Sequence, residues 1–327
     1  MPPFDRNTTG KEVVEAFAST LEGKTVVITG PSTKSIGAEI AISLAYGSPS
    51  AIILLGRTES KVAPVIEQIK AINSSIAVSF VHLDLADQAS IQKTADVVSA
   101  KVEKIHYLIN CAGVMAIPTF ETTKEGIELQ FGSNHVGHFL LTNLLMPKIL
   151  AAGKGARIVN VSSNGYELAG VRFDDYNFEE GKAYDPWLAY GQSKTGNVLF
   201  SSALAQKLKS KGIQSYALQP GFVLESNLSN HVTPDMFSAA LAIMNENSNG
   251  KQVEMEAPKT LQQGCATPLV AALDPSIEGK HFFLLEAVLS IADSWQDIQE
   301  VSFRTVHLSQ SKKNTPRGRR TLISYGH

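Results

Sequence analysis

Cysteine is almost absent from the chain: Cys111 and Cys265, the two in 327 residues, stand too far apart for a disulfide framework or a zinc-ligand spacing. A reducing compartment is the expectation. An excess of charge of either sign is missing too, and the formal net charge of −2 argues against a nucleic-acid partner. No apolar run reaches the length that crosses a bilayer; the best candidate, residues 281–292, is short and interrupted by Glu286. The opening Met1-Pro2-Pro3-Phe4-Asp5-Arg6 carries no apolar signal region, so the expected location is cytoplasmic. There is no internal repeat, low-complexity tract or linker. What remains is an ordinary globular composition, 43% apolar and 18% charged, able to bury a large core.

Short apolar runs alternate along the chain with segments of helical period. Strands are expected at 24–29, 51–55, 76–83, 105–110, 156–162, 213–218 and 281–285. Helices are expected at 11–20, with Thr8 or Thr9 as cap, and at 38–46, 59–71, 89–103, 122–150, 189–208 and 259–273. This alternation implies α/β architecture: a single doubly wound, Rossmann-type domain with a parallel seven-stranded sheet flanked by helices. Residues 1–22 form an N-terminal arm and helix, and 23–292 the domain. Residues 222–257, with Met236, Met244 and Met255, read as a cover over a substrate site. Residues 293–327 are a C-terminal extension, expected to be partly disordered, whose polar end carries Lys312, Lys313, Arg317, Arg319 and Arg320.

Three places carry candidate chemistry. The turn Gly30-Pro31-Ser32-Thr33-Lys34-Ser35-Ile36-Gly37 sits between a strand and a helix, where a pyrophosphate rests on helix N-terminal amides. A middle glycine is missing, so a plain strand-to-helix turn also fits. Arg57 follows the second strand, where an acid would bind the free ribose hydroxyl of NAD; an arginine suits a 2′-phosphate, or merely caps the next helix. In Tyr190-Gly191-Gln192-Ser193-Lys194 a phenol and an ammonium share one helix face. A lysine held there favours the phenolate and would bring the tyrosine's proton exchange toward neutral pH, as a general acid/base needs. His135 and His138, three apart, suggest a metal pair, but no third ligand cluster follows and helix packing is the expected role.

Taken together, Thr29-Gly30 with Ile36-Gly37, Asp84-Leu85, Asn110-Cys111-Ala112-Gly113, Asn134, Val161-Ser162-Ser163, Tyr190 with Lys194, and Pro220-Gly221 resemble, in order, the motifs of the short-chain dehydrogenase/reductases. The resemblance runs from about residue 9 to about 292. The stretch from Asn134-His135-Val136-Gly137-His138-Phe139 onward and the insert Arg172-Phe173-Asp174-Asp175-Tyr176-Asn177-Phe178 are similar to the retinol dehydrogenase and WW-domain oxidoreductase branch. Gly30-Pro31-Ser32 and Ala271-Ala272-Leu273-Asp274-Pro275 are similar to fungal members of it. Ser163 and Tyr190 lie 27 apart, about twice the usual family separation, as the branch's insert implies.

The resemblance implies hydride transfer between a nicotinamide and a carbonyl or alcohol carbon. Tyr190 would move the proton and Ser163 would hydrogen-bond the reacting oxygen. Lys194 would hold the nicotinamide ribose and depress the tyrosine, and Asn134 would hold a relay water through a local helix irregularity. The implied cofactor contacts are Gly30, Lys34, Ser35, Ile36, Gly37, Arg57, Asp84, Leu85, Asn110, Ala112, Gly113, Tyr190, Lys194, Pro220, Gly221, Val223 and Ser226. NADPH is expected in preference to NADH, with Lys34 pairing with phosphate where Lys34-Ser35 replaces the family's middle glycine. The implied substrate is a small apolar metabolite, of secondary metabolism, and the implied assembly a homodimer or homotetramer through the two long helices. Three alternatives stand beside this: a C=C reductase on the same scaffold, a dinucleotide-binding module without turnover, and a scaffold that recruits partners through the basic tail.

Overall fold

The computed structural model describes residues 4–248, 252–253, 256–279 and 283–284. The C-terminal extension and its basic cluster, most of residues 281–292, and Met255 in the cover lie outside the described residues.

Strands β1 (Thr25–Thr29), β2 (Ala51–Gly56), β3 (Ala77–His82), β4 (Tyr107–Asn110), β5 (Arg157–Val161) and β6 (Gln214–Leu218) pair in parallel. A two-residue segment, β7 (Phe283–Leu284), adds to β6, giving the order β3-β2-β1-β4-β5-β6-β7. β1, β4 and β5 are buried at every position, which is why they read as unbroken apolar runs. Successive side chains still go to opposite faces. Val26, Ile28, Ile52 and Leu54 pack in one core with Ile40, Ala41 and Leu44, whereas Val27, Ile53 and Leu55 pack in the other with Leu141, Leu145 and Ile149.

The helices in chain order are α1 (Gly10–Ala16), α2 (Ile36–Leu44), α3 (Glu59–Ile72), α4 (Gln88–Lys101), α5 (Leu129–Phe131), α6 (Gly137–Ala152), α7 (Pro186–Leu208), α8 (Pro234–Asn247), α9 (Leu261–Gly264) and α10 (Ala266–Leu273). Thr9 caps α1 in a capping box with Glu12. α7 starts three residues ahead of the expected start because Asp185 accepts from the N–H groups of Trp187 and Leu188, with Pro186 at the first position. The helix expected over 259–273 is divided at Cys265 into α9 and α10.

The helix expected from Thr122 begins only at Leu129. Gly126 turns with φ 79°, and residues 122 and 128 bridge across that turn. Glu128 then caps α5 by accepting from the backbone N–H of Gln130 (2.9 Å) and Phe131 (2.7 Å). Between α5 and α6 the chain makes a π turn, Gly132–Val136, which contains Asn134. Glycines permit the close packing on either side: a Cβ on Gly132 would meet Thr123 at 2.2 Å, and one on Gly137 would meet the Leu85 carbonyl at 2.6 Å. The strand order reverses between β1 and β4, so the crevice at the carboxyl ends of those strands is where a ligand binds in such a sheet.

Candidate active site

A cavity of about 550 Å³ follows that crevice. One end is bounded by Arg57, Thr58, Lys61 and Asp84 beside β2 and β3, and the middle by the turn after β1 and by Ala112 and Gly113 after β4. The far end holds Ser163, Tyr190 and Lys194 and opens into an apolar chamber of Leu168, Trp187, Phe222, Phe237, Leu241 and Met244. Ser35, Ile36, Gly37, Leu85, Pro220, Gly221, Val223 and Ser226 also line it. Residues read from far-apart motifs therefore share one cleft.

Three expected site residues do not line it. Asn110 is buried at the carboxyl end of the central strand β4, where its Nδ2 donates to Thr142 Oγ1 and Asn160 Oδ1. Asn134 is fully buried; its Oδ1 accepts from Val114 N (2.8 Å), and its Nδ2 donates to Val114 O (2.8 Å) and Ser193 Oγ (2.9 Å). The expected helix irregularity is the π turn around it. Lys34 is the third. It takes a left-handed conformation (φ 57°), and its carbonyl accepts from Asn227 N. Besides Lys194, the lysine that lines the cavity is Lys61, four residues beyond Arg57 and missed in the sequence, although a four-residue spacing onto a helix was its signal.

Ser35 is accommodated within the turn. Its hydroxyl donates back to Gly30 O (2.9 Å) and accepts from Ala38 N (3.0 Å), capping α2. Gly30 itself, at φ 74°, could not carry a side chain, since a Cβ would stand 2.7 Å from Ala112 Cα. A Cβ on Gly113 would stand 3.3 Å from Asn134 Oδ1 and 3.6 Å from Lys194 Nζ. The bare backbone along this cleft is the cradle a dinucleotide needs.

At the reacting end, Tyr190 and Lys194 are both buried. Lys194 Nζ lies 5.4 Å from the Tyr190 ring centroid and donates to Val161 O (3.2 Å). The expected depression of the phenol is not what this geometry produces: burial pushes Tyr190 up to about 12, and hydrogen bonding with Ser163 only partly opposes it. Burial also draws Lys194 down to about 8. Ser163 Oγ accepts from Gly165 N (3.0 Å), and Gly165 leaves room for the tyrosine ring, which a Cβ there would meet at 2.6 Å.

His135 and His138 do not form a metal pair. His135 packs among Phe131, Phe139 and Phe200, while His138 is buried between Thr29 and the carbonyl of Asn134. Among the described residues no group of three or more His, Cys, Asp or Glu could hold a metal ion, and no helix is long and apolar enough to cross a membrane.

Residues 24–177 match the family model for short chain dehydrogenase. Human retinol dehydrogenase 13 is 40% identical over 213 residues, which are 65% of this chain and 62% of that protein. Mouse retinol dehydrogenase 11 is 36% identical over 265 residues, 80% of this chain and 78% of that protein. Oxidoreductase fscI of Fusarium equiseti is 32% identical over 243 residues, 67% of this chain and 94% of that protein. A solved Escherichia coli short chain dehydrogenase complexed with NADPH has the same fold at 19% identity and a TM-score of 0.59, over 82% of this chain and 98% of that one. The chain belongs to the short-chain dehydrogenase/reductase family of oxidoreductases, in the branch that contains the retinol dehydrogenases.

Proposed function

We propose that the protein uses NADPH to interconvert a ketone or aldehyde with its alcohol on a small apolar metabolite. The observation that carries this reading is the layout of the cavity: two cations, Arg57 and Lys61, at the β2 end, and Ser163, Tyr190 and Lys194 opening on an apolar chamber at the other. The bound nicotinamide would supply or take the hydride. At the cation end, Arg57 and Lys61 pair with a 2′-phosphate, and an NADPH complex of a structural relative agrees with that choice. Ser163 donates a hydrogen bond to the carbonyl oxygen, where negative charge develops as the bond reduces. Tyr190, held protonated by its burial, is in the form that gives a proton to that oxygen. Lys194, immobilised on Val161 O and still largely cationic at neutral pH, favours the phenolate left behind. The chamber of Trp187, Phe222 and Phe237 excludes water from the exchange and selects apolar substrates.

The same reading places the protein in the cytosol, in secondary metabolism, as a homodimer or homotetramer. Exposed rings on and beside the long helices, Phe139 (38%) and Tyr176 (43%), support self-association there, which light scattering checks. The function is tested by following nicotinamide absorbance with NADPH and NADH against apolar ketones, aldehydes and enones, with product analysis. An alcohol product with NADPH is expected. Saturated carbonyl products would move the assignment to C=C reduction. Tight cofactor binding with no turnover of any carbonyl would replace it with a sensor.

A further inference from the structure

The motif Asn134-His135-Val136-Gly137-His138 contains one residue that the proposed chemistry leaves unused. His138 is 2% exposed, and both ring nitrogens are engaged at 2.9 Å, Nε2 with Thr29 Oγ1 and Nδ1 with the main-chain oxygen of Asn134. The protons follow from counting donors. Thr29 Oγ1 already accepts the N–H groups of Cys111 (2.9 Å) and Ala112 (3.0 Å), which fill its two lone pairs. Its own hydrogen must therefore go to Nε2, and the imidazole proton must sit on Nδ1, donated to Asn134 O. A cationic ring would press a second hydrogen against an oxygen that has no lone pair left. Burial, with the nearby Lys194 charge acting in the same direction, draws His138 down to about 4, so the ring stays neutral.

Three pieces of the site meet at this ring. Thr29 ends β1 just ahead of the cofactor turn. Its hydroxyl fixes residues 111–112, which line the cavity between the Gly30 turn and Lys194. Asn134 clasps Val114 through both side-chain atoms and reaches Ser193, whose hydroxyl donates to Tyr190 O (2.7 Å). A rigid, neutral connector at this point sets the β4 loop and the catalytic helix α7 in one frame.

We propose that His138 is a positioning residue: in its Nδ1–H form it locks the 111–113 loop to the π turn, and so builds the floor against which the nicotinamide half of the cofactor packs. This rests on the dinucleotide reading given above. Sequence order hides it, because the contact runs between positions 29, 111, 134 and 138 and only the π turn and the β1–β4 pairing bring them together.

The test separates the two halves of the cofactor. NADPH binding and the fluorescence of its bound nicotinamide are measured beside binding of 2′,5′-ADP, which carries only the adenosine half. His138→Phe keeps a ring and removes both hydrogen bonds; Thr29→Val keeps the shape and removes the hydroxyl. Each is expected to weaken NADPH about tenfold and to change the bound fluorescence, with 2′,5′-ADP affinity unchanged. The double variant should bind NADPH no more weakly than the worse single one, because the two act through one chain. Equal weakening of both ligands, additive losses, or unchanged NADPH binding would overturn the proposal. If His138→Phe does not fold, Thr29→Val alone must still show the split between the two ligands, and its absence overturns the proposal equally. A wild type that binds no NADPH at all sinks the proposed function itself; a wild type that binds normally beside unaffected variants sinks only this inference.

Discussion

Replacing Glu128 with glutamine should reshape how stability depends on pH. The carboxylate is fully buried at the start of α5, and none of the ion pairs among the described residues includes it. Burial pushes it from an ordinary 4.5 up to about 7, against the two backbone N–H groups it accepts from, those of Phe131 and Gln130. For a carboxyl raised in the folded state, the unfolded chain releases its proton first as pH rises. Stability is therefore greatest below about 4.5 and falls as pH climbs to about 7, by about 3 kcal/mol over that window. His135 and His138 act in the opposite sense: burial draws both down to about 4, so they cost stability as pH falls below 6.5. Both histidines are present in either protein and cancel in the difference. Urea unfolding of wild type and Glu128→Gln at about pH 5 and about pH 8 isolates the carboxyl. The variant should gain about 2.5 kcal/mol relative to wild type between the two conditions, although the amide replaces one acceptor and costs about 1 kcal/mol at both. A stability difference that is the same at both pH values would refute the assignment of a buried, unpaired carboxyl.

Tyr190→Phe should abolish turnover while NADPH affinity stays within about twofold, because the ring packing remains and only the transferable proton is lost; a variant that retains most of its rate removes the acid/base role. Arg57→Ala and Lys61→Ala should each weaken NADPH by about tenfold and leave NADH nearly unchanged, the exposure of both side chains holding the effect near the low end for charge-assisted bonds. Fluorescence titration with both cofactors decides this, and equal effects on the two would remove the 2′-phosphate contact. Gly30→Ala combines a left-handed φ with a Cβ 2.7 Å from Ala112 Cα, so it should cost about 2 kcal/mol or more of folding stability in thermal unfolding and weaken cofactor binding. An alanine protein as stable as wild type would mean that the turn has another conformation.

Several features of the site were hidden because their causes are non-local. Glu128 starts its helix where the expected pattern runs seven residues earlier, since residues 122–127 have a composition a helix tolerates. What moves the start is the Gly126 turn and Asn177 of the insert, whose Oδ1 accepts from Glu128 N (2.8 Å) and whose Nδ2 donates to Gly126 O (2.8 Å). The insert is also clasped to α7: Gln192 Oε1 accepts from Arg172 N (2.9 Å) and Nε2 donates to Tyr176 O (3.1 Å). No local periodicity encodes either carboxamide's partner.

The sequence by itself determined the alternation of strands and helices, because parallel strands buried on both faces must be unbroken apolar runs and helices beside them must carry an apolar stripe. It also determined the position of the reacting pair, since Tyr190 and Lys194 share a face wherever residues 186–208 are helical. Tertiary structure alone decided the electrostatics of that pair. Spacing predicts a phenol made more acidic by its lysine, yet the depth at which α7 packs sets the desolvation, and desolvation dominates. It likewise decided which cation faces the β2 end of the cleft, Lys61 in place of Lys34, because α3 is held against the turn after β1, where Thr33 N donates to Lys61 O (3.0 Å). And it decided the tautomer of His138, which depends on how many donors converge on one hydroxyl from three separate segments.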